Sequence, residues 1–236
     1  MLTTKQIQKR LLDLGYNPGA VDGVRGRQTN AAIRQFQTDN ALSADGIVGP
    51  VTRSKLFGVT PGIGAPIGVE PDLPWYEEAR RLLGVKEVSG SGSNKQILDW
   101  AKDLDIHYSG DDVPWCGLFV AHCIGATLPS EDLPANPLGA RNWRKFGRKC
   151  EPTKGCILVF WRTDPVNSFN GHVGFYAGED DDSFYVLGGN QSDKVSIARV
   201  AKARFLEARF PSTAAFGERK IVRLTPTSDP FSTDEA

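Results

Sequence analysis

A stretch rich in glycine and proline divides this chain and limits what it can fold into. Residues 58–74 contain four Gly and four Pro and carry only two charged side chains. Such a segment cannot bury a hydrophobic core, so we expect a semi-flexible linker. The sequence therefore predicts two domains, over residues 1–57 and 75–225, and the polar residues 226–236 predict a frayed tail.

Charge is distributed unevenly between the two predicted domains. Residues 1–57 carry eight Lys or Arg and four Asp or Glu, a balance of +4, although the 236-residue chain has 28 charges of each sign. A mildly basic domain fits a polyanionic surface such as a cell wall or nucleic acid. The N-terminus turns polar at once and no apolar run is long enough to span a membrane. We therefore expect a protein that is made in the cytoplasm without a signal peptide and is not an integral membrane protein. Nothing in the sequence suggests more than a monomer.

The four cysteines exclude two common structural devices. They are too sparse for a disulfide scaffold, and none has the Cys-x-x-Cys spacing of a structural zinc site. Asp111 and Asp112 shortly precede Cys116. Two carboxylates alone are weak evidence for a calcium site, and helix capping is the simpler role for them. The sequence predicts no metal and no cofactor.

The first domain contains an internal repeat built on two Asp-Gly turns. The stretch that begins at Asp22-Gly23 returns 23 residues later at Asp45-Gly46, and each copy has the pattern of a tight turn followed by a helix start. With one amphipathic helix before the first copy, the pattern predicts three short helices. No helix carries a dense basic stripe, which disfavours a helix-turn-helix module and a nucleic-acid partner.

This arrangement resembles the peptidoglycan-binding domain type 1 family. The matching residues are Ile7-Gln8, Leu11, Leu14-Gly15-Tyr16, Val21-Asp22-Gly23, Gly26, Thr29, Ala32-Ile33, Phe36-Gln37, Leu42, Asp45-Gly46-Ile47-Val48-Gly49 and Thr52. The resemblance implies that this domain binds bacterial peptidoglycan without cutting it. The candidate wall-binding residues are Tyr16, Asp22, Gly23, Arg25, Asp45 and Gly46.

The second domain predicts helices first and antiparallel strands after them, which is the pattern of an α+β fold. Helices are expected over 75–83 and 97–104 and from Pro114 or Trp115 to Ile124. Strands are expected over 156–162, 172–177, 184–187, 195–200 and 205–210.

Three short sequence segments, called strings below, contain residues that can act in catalysis. They are Pro114-Trp115-Cys116-Gly117, Gly171-His172-Val173-Gly174 and Gly188-Gly189-Asn190-Gln191. Cysteine attacks carbonyls as a thiolate, and a neighbouring imidazole is a common way to form one. Cys116 lies in the first turn of its predicted helix, where the helix dipole favours an anion. The strings therefore predict a cysteine nucleophile, a histidine base and an amide that orients the base.

Counting through the predicted hairpin relates His172 to the third string. A turn centred on Asp181 pairs Phe175 with Leu187 and places His172 opposite Asn190. Directly opposite residues share one face of an antiparallel pair, so the Asn190 side chain would accept a hydrogen bond from the imidazole. In this register Gln191 points to the other face, and a one-residue slip would reverse the choice.

Residues 75–211 resemble the NlpC/P60 and CHAP group of papain-like cell-wall peptidases, especially a phage-associated branch. The resemblance rests on Pro114-Trp115-Cys116, Ala140-Arg141-Asn142-Trp143, Gly155 through Phe160, Gly171-His172-Val173-Gly174-Phe175 and Leu187-Gly188-Gly189-Asn190-Gln191. It implies Cys116 as nucleophile, His172 as base and Asn190 as the orienting residue. The Cys116 backbone N–H and one upstream side chain would meet the oxyanion, with Tyr108 as a candidate, and Trp115 and Gln191 are cleft candidates. The group usually has Gly-Asp where this chain has Gly155-Cys156.

Together these features predict a peptidoglycan hydrolase of endolysin type that acts on the wall after release from the cell. The muramoyl–L-alanine amide and the bonds within the stem peptide or cross-bridge all remain possible targets. The alternatives are a non-catalytic wall-binding phage structural protein, a cell-wall effector of a secretion system, and an acyltransferase on the same fold.

Overall fold

The computed structural model describes residues 3–57, 73–88, 90, 92–166, 168–217 and 220–225. Most of the predicted linker and the whole predicted tail lie outside these described residues. The chain divides into two compact units, Met1–Pro74 with Ala126–Ser130, and Trp75–Gly125 with Glu131–Ala236. No helix within the described ranges is long and apolar enough to cross a membrane.

The first unit contains helices α1 (Thr4–Asp13), α2 (Arg27–Asp39) and α3 (Pro50–Phe57). Helix α1 begins at a capping box, in which the side chains of Thr3 and Gln6 each accept a hydrogen bond from the other's backbone N–H. The helices and the turns between them enclose one small apolar core, made of Ile7, Leu11, Ala32, Ile33, Phe36, Val48 and Leu56.

Three further helices precede the sheet: α4 (Pro74–Arg81), α5 (Lys95–Asp103) and α6 (Cys116–Thr127). Each confirms a predicted helix, with ends displaced by one to three residues. Helix α6 is apolar on nearly all sides, and the side chains of Leu118 and Phe119 are fully buried. A helix with this composition has to lie inside the core.

The six strands form one antiparallel sheet in the order β1-β6-β2-β3-β4-β5. They are β1 (Arg148–Cys150), β2 (Ile157–Trp161), β3 (Gly171–Glu179), β4 (Ser183–Gly188), β5 (Ser196–Ala201) and β6 (Phe205–Phe210). Helices together with an antiparallel sheet confirm the α+β class. The sequence pattern misses β1, because this strand has three residues and the first two are exposed, which leaves no alternation to detect.

The predicted register of the β3–β4 hairpin is confirmed where Phe175 pairs with Leu187. Nearer the turn, Glu179 pairs with Phe184, whereas the symmetric count around Asp181 pairs it with Ser183. The register shifts at Ala177, where β3 carries an extra residue, and the shift restores the counted pairing.

Candidate active site

Cys116 is the first residue of α6 and is 3% exposed. The preceding Trp115 is fully buried, and its indole N–H donates a hydrogen bond of 2.6 Å to Oε1 of Glu87. A Cβ atom on Gly117 would collide with the carbonyl oxygen of Pro137, so glycine is required for that close approach. Packing therefore fixes the start of the helix on both sides of Cys116.

The surroundings of the Cys116 sulfur have opposing effects on its ionisation. Burial raises the pKa of the thiol from 9.0 to about 11. Backbone N–H groups of Val173, Gly117 and Cys116 itself, and the positive charge of Arg162, act to lower that pKa. Because burial dominates, the thiol keeps its proton at neutral pH, and a base is needed to form the thiolate.

His172 is fully buried in β3, and its Nε2 atom lies 2.9 Å from Oε1 of Gln191. The amide nitrogen of Gln191 donates to the carbonyl oxygens of Ser196, at 2.6 Å, and Val186, at 3.3 Å. These two contacts fix the orientation of the amide, so its oxygen faces the imidazole. Nε2 then carries the proton, and Nδ1 is the ring nitrogen that can act as a base.

The hydrogen bond that the register count assigned to Asn190 is made by Gln191. Strand β4 ends at Gly188, so the alternation of faces on which the count relied does not continue through Asn190. The backbone φ of Asn190 is 55°, and those of Ser192 and Asp193 are 51° and 59°. Non-glycine residues rarely adopt these angles, which cost about 1–3 kcal/mol each and cluster at functional sites. The Gly-Gly pair before Asn190 is the sequence signal that marks this end of the strand.

Close packing brings the three strings together. A Cβ atom on Gly188 would lie 3.0 Å from Nε2 of His172 and 2.8 Å from Oε1 of Gln191. A Cβ atom on Gly189 would lie 2.6 Å from the Trp115 ring. The third string therefore contacts both the residue that precedes Cys116 and the histidine, and neither contact leaves room for a larger side chain.

Tyr108, the candidate for oxyanion binding, already uses its hydroxyl group. Its O–H donates a hydrogen bond of 2.7 Å to the carbonyl oxygen of Val113. Burial, assisted by the nearby charge of Asp111, raises the pKa of Tyr108, so the hydroxyl keeps its proton. It would have to release Val113 before it could bind an oxyanion.

A cavity of about 770 Å³ is lined in part by four acidic residues, Glu87, Asp111, Asp112 and Asp193, and by two lysines, Lys86 and Lys194. Asp111 is buried and accepts a hydrogen bond of 2.7 Å from the backbone N–H of Asn94, so it holds the loop that begins α5. Burial raises the pKa of Glu87, and the carboxylates around it add to this effect. Across the described residues, no group of three or more His, Cys, Asp or Glu side chains is arranged to hold a metal ion.

A second buried histidine has a different partner. Nε2 of His122 lies 3.2 Å from Oε1 of Glu78, and the imidazole stacks on Trp100 with ring centres 5.0 Å apart. Arg81 donates two hydrogen bonds to the same carboxylate, at 2.7 and 2.9 Å. This network joins α4 to α6.

In the first unit, Gln8 holds the first Asp-Gly turn. Its amide nitrogen donates to Oδ1 of Asp22, the carbonyl oxygen of Val24 and Oγ1 of Thr29, at 2.8–3.2 Å. Its amide oxygen accepts a hydrogen bond of 2.8 Å from the backbone N–H of Gly23. This buried amide therefore ties the Asp-Gly turn to helix α1 and to the first turn of α2.

Gln37 repeats this arrangement around the second turn. Its amide nitrogen donates to Asp45, Ile47 and Thr52, at 2.7–3.2 Å, and its oxygen accepts from the N–H of Gly46 at 2.8 Å. The two copies of the sequence repeat therefore share one hydrogen-bond pattern. Both glutamines match the family pattern, but their structural role was not predicted, although each precedes an Asp-Gly turn from within a helix.

The remaining candidate wall-binding residues differ in their accessibility. Arg25 is buried, and its guanidinium donates to Asn30 and to the carbonyl oxygen of Gly46. Tyr16 is partly exposed and packs edge-on against Phe36, with ring centres 5.5 Å apart. Arg25, like the two aspartates, is thus tied into hydrogen bonds that hold the turns.

Comparison with known protein families identifies the first unit. Residues 3–56 match the family described as "Putative peptidoglycan binding domain". The chain therefore carries an N-terminal peptidoglycan-binding domain, as the family resemblance implied.

Several curated proteins with cell-wall names are similar to parts of the chain. The N-acetylmuramoyl-L-alanine amidase CwlM of Mycobacterium tuberculosis is 39% identical over 80 residues, which is 34% of this chain and 19% of that protein. The zinc D-Ala-D-Ala carboxypeptidase of Streptomyces albus G is 30% identical over 117 residues, which is 45% of this chain and 43% of that protein. The spore cortex-lytic enzyme of Oceanobacillus iheyensis is 41% identical over 51 residues, which is 22% of this chain and 18% of that protein. The matches thus span less than half of each relative, and no solved structure is significantly similar to the chain.

Proposed function

We propose that this protein is a peptidoglycan hydrolase that cleaves an amide bond in the peptide part of the bacterial cell wall. Cys116 is the nucleophile, His172 is the general base, and Gln191 orients the imidazole. The fold of the second unit is papain-like, and the enzyme is of endolysin type, made by a phage to lyse its host. Residues 1–57 tether the catalytic domain, 75–225, to the wall and raise its effective concentration there.

The first half-reaction forms an acyl-enzyme. Nδ1 of His172 takes the proton of the Cys116 thiol as the sulfur attacks the carbonyl carbon of the scissile amide. The developing oxyanion is met by the backbone N–H of Cys116, whose place at the start of α6 adds the favourable field of the helix dipole. The imidazolium then donates its proton to the leaving amine, the C–N bond breaks, and a thioester remains.

The second half-reaction restores the enzyme. Water attacks the thioester carbonyl while Nδ1 of His172 takes one of its protons, and the C–S bond breaks to release the carboxylic acid. The proton returns to the Cys116 sulfur. Throughout both steps Gln191 accepts a hydrogen bond from Nε2, which stabilises the imidazolium form.

The observation that best supports this proposal is the hydrogen bond between His172 and a Gln191 amide whose orientation is fixed by two carbonyl groups. A buried histidine with a defined tautomer is what a base in a papain-like site requires. The peptidoglycan-binding domain and the cell-wall names of the partial relatives support peptidoglycan as the substrate.

The bond that is cut can be read from the products. Purified peptidoglycan is digested with the full chain, and the soluble fragments are analysed by mass spectrometry, with Cys116→Ala as the control. Fragments with a new amino group and a new carboxylate, absent from the control, are expected and locate the cleaved amide. Fragments produced only by glycosidic cleavage would contradict the proposal.

A further inference from the structure

Arg162 follows directly after β2, beside the residues of the candidate site. Phe160 pairs with His172 and Trp161 pairs with Gly171, and the backbone N–H of Arg162 donates to the carbonyl oxygen of Asn170 at 3.4 Å. The pairing thus continues for one residue beyond the strand. Because alternate residues of a strand share a face, Arg162 leaves the sheet on the same face as His172.

The guanidinium of Arg162 differs from that of its neighbour Arg141 in its contacts. Arg141 donates to the carbonyl oxygens of Asp164, Pro165 and Asn170. The guanidinium of Arg162 makes no hydrogen bond or ion pair in the part of the chain that the structure describes, although the residue is only partly exposed. A guanidinium presents five N–H donors, and no Arg162 nitrogen is among the buried polar atoms that lack a partner in the described chain, so these donors are accessible to a ligand from solvent.

The charge of Arg162 also reaches the sulfur of Cys116. This charge acts with the backbone N–H groups to oppose the effect of burial on the thiol. Together with the strand pairing, this effect places Arg162 on the side of the candidate site that holds His172. Two residues further on, Oδ1 of Asp164 accepts a hydrogen bond of 2.7 Å from the backbone N–H of Val166.

We propose that Arg162 binds a carboxylate of the substrate, carried by a residue next to the scissile amide. The proposal rests on the proposed function and adds a specificity residue to it. Stem peptides offer free carboxylates along their length, and a planar guanidinium can hold a carboxylate through two parallel hydrogen bonds. Such a contact would select anionic peptides and place their carbonyl carbon near the sulfur.

A second role for Arg162 has to be separated from this one. Its charge alone would favour the thiolate, and loss of the charge would then slow the reaction with every substrate equally. Carboxylate recognition predicts instead that the loss depends on which substrate is used. A set of substrates that differ by one charge separates the two roles.

The experiment uses a synthetic stem peptide and versions in which each free carboxylate is converted, one at a time, to a carboxamide. Hydrolysis is measured with the wild type, Arg162→Gln, Arg162→Lys and the control Arg80→Gln, which changes an exposed arginine of α4. With the wild type, one carboxamide is expected to lower kcat/KM about 10- to 100-fold, mainly through KM. Arg162→Gln should show a similar loss on the parent peptide and no further loss on that carboxamide, with Arg162→Lys in between.

Two results would overturn the assignment. One is an equal loss on the parent peptide and on all carboxamides, together with an alkaline shift of the pH profile, which would leave thiol activation as the role of Arg162. The other is an unchanged preference for the carboxylate in Arg162→Gln. Calorimetric binding of the parent peptide to Cys116→Ala, with and without Arg162→Gln, tests the contact without turnover, and about 10-fold weaker binding or more is expected. If Cys116→Ala hydrolyses the peptides like the wild type, the proposed function fails, whereas the binding comparison still tests Arg162.

Discussion

Nε2 of His172 and Oε1 of Gln191 lie 2.9 Å apart, and neither atom can exchange its role. The amide nitrogen of Gln191 is already committed to two carbonyl oxygens, so the amide cannot rotate without placing its oxygen against theirs. The imidazole is therefore held in one tautomer before any substrate binds. This hydrogen bond distinguishes the two amides of the Gly-Gly-Asn-Gln string.

Removal of the Gln191 amide should slow wall hydrolysis more than removal of the Asn190 side chain. Gln191→Ala is expected to lower kcat about 10- to 100-fold, because a hydrogen bond to a charged imidazolium is lost. The matched control is Asn190→Gly, since glycine tolerates the positive φ of that position. A larger loss in Asn190→Gly than in Gln191→Ala, measured as release of soluble wall fragments, would restore Asn190 as the orienting residue.

A single methyl group on Gly188 should damage the site without unfolding the protein. The added Cβ of Gly188→Ala would lie within 3.0 Å of both atoms of the His172–Gln191 hydrogen bond, so the bond has to lengthen or break. We expect kcat to fall about 10-fold or more, with the circular dichroism spectrum unchanged. Gly49→Ala, whose Cβ would meet nothing within 4 Å, should keep wild-type activity. Full activity in Gly188→Ala would show that the bond is not needed.

Acid should remove a stabilising contribution that Glu78 makes. Burial acts to raise the pKa of Glu78, but hydrogen bonds and charge from Arg81 and His122 outweigh it and lower that pKa from 4.5 to about 2. A carboxyl with a depressed pKa stabilises the fold fully above pH 4.5, and the contribution is lost as the pH falls toward 2. Glu78→Gln should lower the free energy of unfolding by about 3 kcal/mol at pH 7 and flatten its dependence on acid.

The neighbouring Glu77 provides the control for that prediction. Its side chain is 40% exposed and lies 3.9 Å from Arg80, so Glu77→Gln should change stability by less than about 0.5 kcal/mol. Chemical denaturation at several pH values measures both variants. An equal effect of the two substitutions would contradict the assignment of a buried ion pair.

The duplicated turns should depend equally on Gln8 and Gln37. Substitution of either by alanine leaves the backbone N–H of an Asp-Gly turn without its acceptor and should destabilise the first unit by about 2 kcal/mol or more. Gln35→Ala, an exposed position on the same helix as Gln37, is the control. Pelleting of the full chain with purified walls, in the Cys116→Ala background, should show weaker binding for both buried substitutions and unchanged binding for the control.

Local sequence patterns were sufficient to predict most of the helices and strands. The family resemblance of residues 1–57 implied the peptidoglycan-binding domain, and counting through the hairpin found the Phe175–Leu187 pair. The count succeeded through two offsetting shifts, at the turn and at Ala177, and a bulge of this kind leaves no mark in a pattern of hydrophobic residues.

What the sequence could not predict depends on contacts between distant residues. The choice of Gln191 follows from left-handed backbone beyond β4 and from the carbonyl groups that hold its amide. The Arg162 guanidinium meets no acceptor among the described residues, and this too can be seen only when its surroundings are known. Spacing along the chain carries neither kind of information.

Whether Cys116 carries the reaction can be decided by following the turbidity of purified cell walls. The wild type and Cys116→Ala are compared at equal concentration, and equal pelleting with the walls controls for binding. If the Cys116 sulfur is the nucleophile, the wild type clears the walls and Cys116→Ala shows no clearing above the buffer rate. Equal clearing by both proteins would contradict the cysteine mechanism.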